Sequence, residues 1–598
     1  MHARKKDYFE NVKEYFDINL MLSAHLLLPS VDSKDFMDRP MKNSLNIIKR
    51  EFRKIEEDLG LISLEGLSSR RMNEIIAYNI NTLTVGSRVK GKKRKKLERI
   101  KREKRLCILK SFIDKHFCEV GYDLEEAVPE DFKEKLCLID KLTNQQLKEI
   151  TNEINEKWKK LYRRRKQCTP TSVSTLIDIP HPFYVPGGRF REYYYWDTYW
   201  ILEGLLACNM ELSASNVIEN FIFLIKNFGF IPNGIRKYYA HRTQPPYFPL
   251  MLLTLYNYNK EKFKDLVLNE GLDMAIEEYN FFIKYRSMEL DGMNEAYSLC
   301  LYKVDSDYPR PESFNEDVSL YKSDRLRSHY MIYSNIKSAT ESGLDFSTKW
   351  ETDGHELYSI STYEQIPAEL NAIMFRNENI ISELLKEKGN LEESNIFKER
   401  ALKRERAINE ILWNETEETW MDYNLATKDF VNWRFYFSNV EPLLWGVTAP
   451  VNKYKILLKY HKELFSYPGG IPASGYQDIP TEQQWDFPNA WAPHQHTFIS
   501  YLLKINEREM ALHCARSFFR AALGGYNECK EFFEKYNVTC PGKTGFGGEY
   551  APQCGFGWTN GALLKLIEWF GDDLISETDH CQSYYSILEY LMQKIEEN

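Results

Sequence analysis

Residues 216–246 read NVIENFIFLIKNFGFIPNGIRKYYAHRTQPP, and the two halves of this stretch behave differently. In 216–228 the apolar residues recur with the spacing of one helical face. From Gly229 that pattern stops, and a segment punctuated by Pro232, Pro245 and Pro246 brings Asn233, Arg242 and Gln244 onto irregular backbone. The alternation recurs along the chain. Leu45, Ile47, Ile48, Phe52, Ile55 and Leu59 mark a helix over 44–59, and 396–413 (IFKERALKRERAINEILW) marks another. Loops rich in Gly, Pro and aromatics lie at 180–190, 229–249, 305–316, 466–493 and 540–561. Sustained period-two alternation is scarce, so few strands are expected. Amphipathic helices separated by long loops predict an α-helical toroid, with paired helices as its wall and the loops gathered at one end. No short-period repeat is visible, which argues against a solenoid.

With 598 residues, 43% hydrophobic and 28% charged, the chain has the size and balance of one or two large globular domains. The net charge of -8 argues against a surface coated for nucleic-acid binding. That charge is the sum of unlike parts. RVKGKKRKKLERIKREKR (88–105) holds twelve Lys/Arg and two Glu, a net of +10, which leaves -18 on the rest. The sequence divides into an N-terminal segment at 1–54, a basic insertion at 55–110 and a catalytic domain at 111–598. The basic run at 88–106 is expected to be a solvated helix or flexible.

The eleven cysteines are odd in number, scattered and without a CxxC, which favours reduced thiols. His494 and His496 lack the partners of a metal motif, so no metal site is expected. The N-terminus MHARKKDYFENVKEYFDINLMLSAHLLLP mixes acidic and aromatic residues into its apolar patch and reads poorly as a secretory signal. The expected location is cytoplasmic, with a secreted form as the alternative. In that case Asn414-Glu415-Thr416 and Asn537-Val538-Thr539 become glycosylation sequons. No apolar run is long enough to cross a bilayer.

The loops carry the chemistry. PGGRFREYYYWDTY (186–199) combines a donor fork at Arg189, aromatic faces at Phe190 and Trp196 and an acceptor at Asp197, a set that suits a sugar ring. It fits equally a glycine turn entering a helix with its aromatics in the core. Arg242 in the second loop has the shape to grip hydroxyls or a carboxylate, or to bond loop carbonyls. RPESFNED (310–317) adds Arg310 and Glu312. In ESGLDFS (341–347), Asp345 sits between Leu344 and Phe346, where desolvation would keep it protonated as a general acid requires. A helix N-cap is the plainer use of an Asp there. QWDFPNAW (484–491) sets a carboxylate between Trp485 and Trp491, which are stacking platforms or core. Glu534 of EKYN (534–537) and Glu549 of GFGGEY (545–550) are candidate bases or hydroxyl acceptors. The plainer place for Glu534, beside Lys535, is the surface.

Together these motifs resemble the trehalases of glycoside hydrolase family 37. The resemblance runs through DSKDF (32–36), PGGRFREYYYWDTY, GFIPNGIRKYYAHRTQPP, RPESF, ESGLDFS, QWDFPNAW, EKYNV and GFGGEYAPQCGFGWTNG, and so spans 32–561. It implies an (α/α)6 barrel, in agreement with the helix-and-loop pattern. It also implies hydrolysis of α,α-trehalose to two glucose molecules with inversion and without a cofactor. Asp345 then corresponds to the general acid and Glu534 to the general base. Sugar contacts are implied at Arg189, Trp196, Asp197, Asn233, Arg242, Gln244, Arg310, Glu312, Gly343 and Glu549, and Phe190 and Trp485 are expected to line the same pocket. Leu344 stands where the family commonly has Trp, Phe546 interrupts its glycine run, and Asn537 replaces a common Asp. Inversion needs the two carboxyl groups roughly 6.5–9.5 Å apart, leaving room for the attacking water. The competing readings are a hydrolase or phosphorylase for another α-glucoside, and a catalytically inactive sugar-binding or interaction protein with the basic segment as its docking element. The expected small-molecule partner is trehalose, with neither nucleic acid nor an integral membrane segment.

Overall fold

The apolar pattern of 44–59 forms a helix that buries Ile48, Phe52 and Leu59 together with one carboxylate, Glu56, which accepts from the Asn19 side chain (2.6 Å). The structure is a computed structural model describing residues 18–27, 32–63, 75, 78–79, 82–83, 92–166, 174–293, 295–323, 327–352, 357–431, 434–575 and 579–597. The N-terminal helices with both ends described are α1 (Ile18–Leu27), α2 (Ser33–Met37), α3 (Leu45–Leu59) and α4 (Lys92–His116). Helix α4 packs against α1 and α3, burying Leu109, Phe112 and Ile113. Lys96, Arg99, Lys101, Arg102 and Lys104 of its basic half are exposed, Arg99 at 81% of its side chain. Residues 88–91 of the basic run, Cys168 and most of the N-terminal stretch read for targeting lie outside the described residues. One apolar cluster joins Leu20, Phe52 and Phe117 to Tyr194, Tyr238 and Tyr239, so this unit rests on the loops after residues 186 and 229.

The remainder is an (α/α)6 barrel. The outer layer contains α5 (Gln145–Leu161). Inner α6 (Asp197–Ala207) is followed by outer α7 (Glu211–Phe228), and inner α8 (Phe248–Tyr258) by outer α9 (Leu272–Tyr285). Helix α10 (His329–Glu341) leads into the ESGLDFS turn. The sequence continues with inner α11 (Ala368–Lys388), outer α12 (Leu391–Ile411), inner α13 (Glu441–Trp445) and outer α14 (Lys453–Lys459). Inner α15 (Ala492–Lys504), outer α16 (Arg508–Cys529) and inner α17 (Gly557–Phe570) complete the ring, and a further helix, His580–Glu596, packs outside it on α14 and α16. The inner helices form a closed ring: α6 packs on α8, α8 on α11, α11 on α13, α13 on α15, α15 on α17, and α17 back on α6. All residues of α6 are buried, as expected for a helix with neighbours on every side.

The ring closes where Gly204 of α6 meets Gly561 of α17. A Cβ at Gly561 would lie 1.8 Å from the Trp200 carbonyl oxygen, and one at Gly204 would lie 2.6 Å from the Gly561 Cα. Only hydrogen at both positions lets the two backbones approach so closely.

Strands are short, the longest described being Ser287–Asp291 paired with Ala296–Cys300. One pair matters for the site: Asn489–Trp491 runs antiparallel to Lys535–Asn537, with Trp491 opposite Lys535. Trp196, Trp491 and Phe556 are the residues from which α6, α15 and α17 start, so the ends facing the site are the N-terminal ends of inner helices. No helix of the described residues is long and apolar enough to cross a membrane.

Candidate active site

Asp345 sits in the turn after α10, and that turn is clamped from two sides. The Gln484 side-chain amide donates to the Asp345 carbonyl (2.5 Å), and the Trp485 N–H donates to the Phe346 carbonyl (3.0 Å). The Trp350 indole N–H adds a bond to the Leu344 carbonyl (3.0 Å). The cap of the following short helix is Ser347. Asp345 lies at a cavity surface, where enclosure by protein pushes its carboxyl up to about 7; Arg310 and Arg242 oppose the shift and Glu549 adds to it.

Glu534 precedes the strand Lys535–Asn537 and is only 2% exposed. Its Oε1 accepts from the Tyr550 hydroxyl (2.8 Å) and its Oε2 from the Gln553 N–H (3.3 Å). Burial raises it above the usual carboxylate value, while Lys535, these hydrogen bonds and Arg189 pull it back. Asp197, at the start of α6, is pushed up to about 8 by burial, and the negative charges of Glu534 and Asp345 add to the shift. It is therefore a neutral acid at neutral pH.

The arginines are held by carboxylates and amides around the same space. Arg242 donates to Asn233 Oδ1 (2.7 Å) and Glu312 Oε1 (2.6 Å). Arg310 bonds Asp317 (2.6 Å) and Glu549 (2.6 Å), and the Ser313 hydroxyl donates to the second Glu549 oxygen (2.9 Å). Arg189 pairs with Asp32 (2.6 Å) and lies over the Tyr550 ring. The buried atoms Arg242 Nη1, Glu312 Oε2 and Arg189 Nε have no hydrogen-bond partner among the described residues. Buried polar atoms of this kind cost stability unless a ligand or water satisfies them. Apolar walls are supplied by Trp196, Trp485 and Trp558, with Trp485 stacked on Trp491 at 3.9 Å and 7°.

All of the residues expected from the sequence line one cavity of about 680 Å³, part of it open to solvent: Asp345 and Glu534 with Arg189, Phe190, Trp196, Asp197, Asn233, Arg242, Gln244, Arg310, Glu312, Gly343, Trp485 and Glu549. Leu344 borders instead a separate small cavity behind Trp196. Sequence reasoning missed Lys34, Gln484 and Tyr550, which also line the cavity. The signals were present: Lys34 lies in DSKDF, Gln484 opens QWDFPNAW and Tyr550 follows Glu549. The histidines are core residues, His494 stacked on Phe437 at 4.0 Å and His496 on Trp569 at 5.0 Å, and burial holds both well below the usual imidazole value. Among the described residues no group of three or more His, Cys, Asp or Glu is arranged to hold a metal ion.

Comparison with known proteins agrees with this architecture. The Trehalase family model matches residues 73–571. Trehalase from Homo sapiens is 37% identical over 78% of this chain and 81% of its own length. Trehalase from Bombyx mori is 36% identical over 78% of this chain and 82% of its own. Among solved structures, the neutral trehalase Nth1 of Saccharomyces cerevisiae shares the fold, with a TM-score of 0.53 at 21% identity over 68% of this chain and 75% of that one. The match spans most of the chain, and the chain belongs to the trehalase family.

Proposed function

We propose that the protein hydrolyses α,α-trehalose to two glucose molecules by single-step inversion, with Asp345 as general acid and Glu534 as general base. The observation that carries this reading is the pairing of two carboxyl groups across one cavity in different surroundings. Asp345 is held up to about 7, whereas Glu534 is raised but opposed by a cation and two hydrogen bonds. Asp345 gives its proton to the glycosidic oxygen as the C–O bond breaks. Glu534 takes a proton from water as that water's oxygen bonds to the anomeric carbon from the opposite face. The Glu534 proton is then released to solvent and Asp345 is reprotonated, so one water is consumed per trehalose. Arg189, Arg242 and Arg310 hold ring hydroxyls against the tryptophan walls, and neutral Asp197 donates a further hydrogen bond.

Inversion predicts one α- and one β-glucose from each trehalose. Proton NMR at early times should show the two anomers in equal amounts, with no phosphate requirement and little glucose from maltose or kojibiose. Asp345→Asn and Glu534→Gln should each lower turnover by about a hundredfold to ten-thousandfold. Phosphate-dependent release, or a product that is all α, would overturn the reading. We place the enzyme in the cytoplasm on its thiols: the ten described cysteines are free, and six of them, Cys107, Cys137, Cys529, Cys540, Cys554 and Cys581, are exposed, which fits a reducing compartment.

A further inference from the structure

Lys535 follows the proposed base directly, yet it is fully buried. Its ammonium donates to Gln484 Oε1 (2.8 Å) and to the Gly547 carbonyl (3.0 Å). The Gln484 amide nitrogen in turn donates to the main-chain carbonyl of Asp345 (2.5 Å). Gln484 is itself fixed, because its own carbonyl accepts from Asn489 Nδ2 (2.9 Å) and from the Trp491 indole (3.1 Å). A chain of hydrogen bonds therefore runs from the strand that follows Glu534 to the turn that carries Asp345. The glycine-rich loop is cut to fit it. A Cβ at Gly548 would lie 2.7 Å from Gln484 Oε1, and one at Gly545 would lie 3.0 Å from Lys535 Cγ.

We propose that Lys535 is a positioning residue of the hydrolysis, fixing the separation of acid and base through Gln484 and steadying the ionised form of Glu534. This rests on the roles given above to Asp345 and Glu534. Lys535 faces Glu534 on its own segment, Asp345 from the turn after α10, the Tyr550 ring from the glycine-rich loop and the Trp491 ring from the paired strand. Burial lowers its ammonium to about 8, and the two carboxylates oppose that shift. It is therefore a cation below that pH. Its charge is the largest influence drawing Glu534 back toward ionisation. A neutral side chain at 535 leaves Glu534 easier to protonate, so the acidic limb of the rate profile moves upward in pH.

The test is kcat, KM and the pH profile on trehalose for three variants of the full chain. Lys535→Met should lower kcat about tenfold or more, change KM by less than about threefold and move the acidic limb up by about one pH unit. Lys535→Arg should return the limb toward its original position. Gln484→Leu should lower kcat while leaving the limb in place, since it breaks the strut but keeps the charge. A Lys535→Met enzyme with kcat within twofold and an unmoved limb overturns the proposal, as does a loss carried by KM alone. If Lys535→Met does not fold, Gln484→Leu decides, and unchanged kcat there rejects the strut. A fully active Glu534→Gln enzyme sinks the acid/base assignment itself, whereas an inactive one beside a normal Lys535→Met sinks only this inference.

Discussion

Asp197, Asp345 and Glu534 face one cavity, and each negative charge in so enclosed a space makes the next harder to form. The three separate according to their neighbours: Glu534 has a buried ammonium and two donors, while Asp197 is pushed up to about 8 by burial with both other carboxylates nearby. Activity requires Asp345 protonated and Glu534 ionised. The kcat/KM profile of the free enzyme should therefore be a bell whose alkaline limb lies near 7, where Asp345 loses its proton. Glu549→Gln removes a negative charge that raises Asp345, so this limb should move to lower pH; a limb that stays in place or rises contradicts the assignment. At this scale the sequence was informative wherever a functional group sat in a motif with its neighbours. Asp345 between Leu344 and Phe346 reads either as a desolvated acid or, more plainly, as a helix N-cap, and the structure puts Ser347 at the cap. The position of Lys535 did not show, because a lysine beside a glutamate reads as surface until the partner strand and Gln484 are seen to enclose it.

Among the elements, the helices with a clean apolar stripe were legible, as in Leu45–Leu59 and Glu211–Phe228. The five-residue inner helix Glu441–Trp445 was not, since it is shorter than two turns and periodicity cannot mark it. Nor was the pairing of Asn489–Trp491 with Lys535–Asn537, which joins two three-residue segments 46 positions apart in register and holds base and aromatic wall together. The Gly204/Gly561 contact was equally hidden, because a glycine inside a helix shows its purpose only when another backbone lies against it. Gly561→Ala should push α17 off α6 at a cost of about 3 kcal/mol or more. A thermal melt should show a large fall in Tm with activity lost in parallel, and a Tm within a degree of the parent would contradict the close approach.

For the whole molecule, the toroid followed from many helices and few strands, but the seat of the N-terminal unit did not. Its apolar cluster takes in Tyr194, Tyr238 and Tyr239, and its Asp32 reaches Arg189, so the segment before the barrel is built into the cavity wall. No local pattern in DSKDF reveals a partner more than 150 residues away; only the fold supplies it. The ring has a further consequence for synthesis. Its final contact joins the first inner helix to the last, and Trp558 of the cavity lies in that last helix. While the chain is still emerging from the ribosome, most of the pocket's residues exist but have no closed frame to hold them. Chains halted at 556 should bind and cleave no trehalose, and should gain activity only once Gly557–Phe570 is supplied. In vitro translation of chains halted at 556 and of chains carried past 570, each assayed for glucose release, would register this as activity that appears only once that helix has been made, so the pocket stays inert toward its substrate until its first inner helix meets its last.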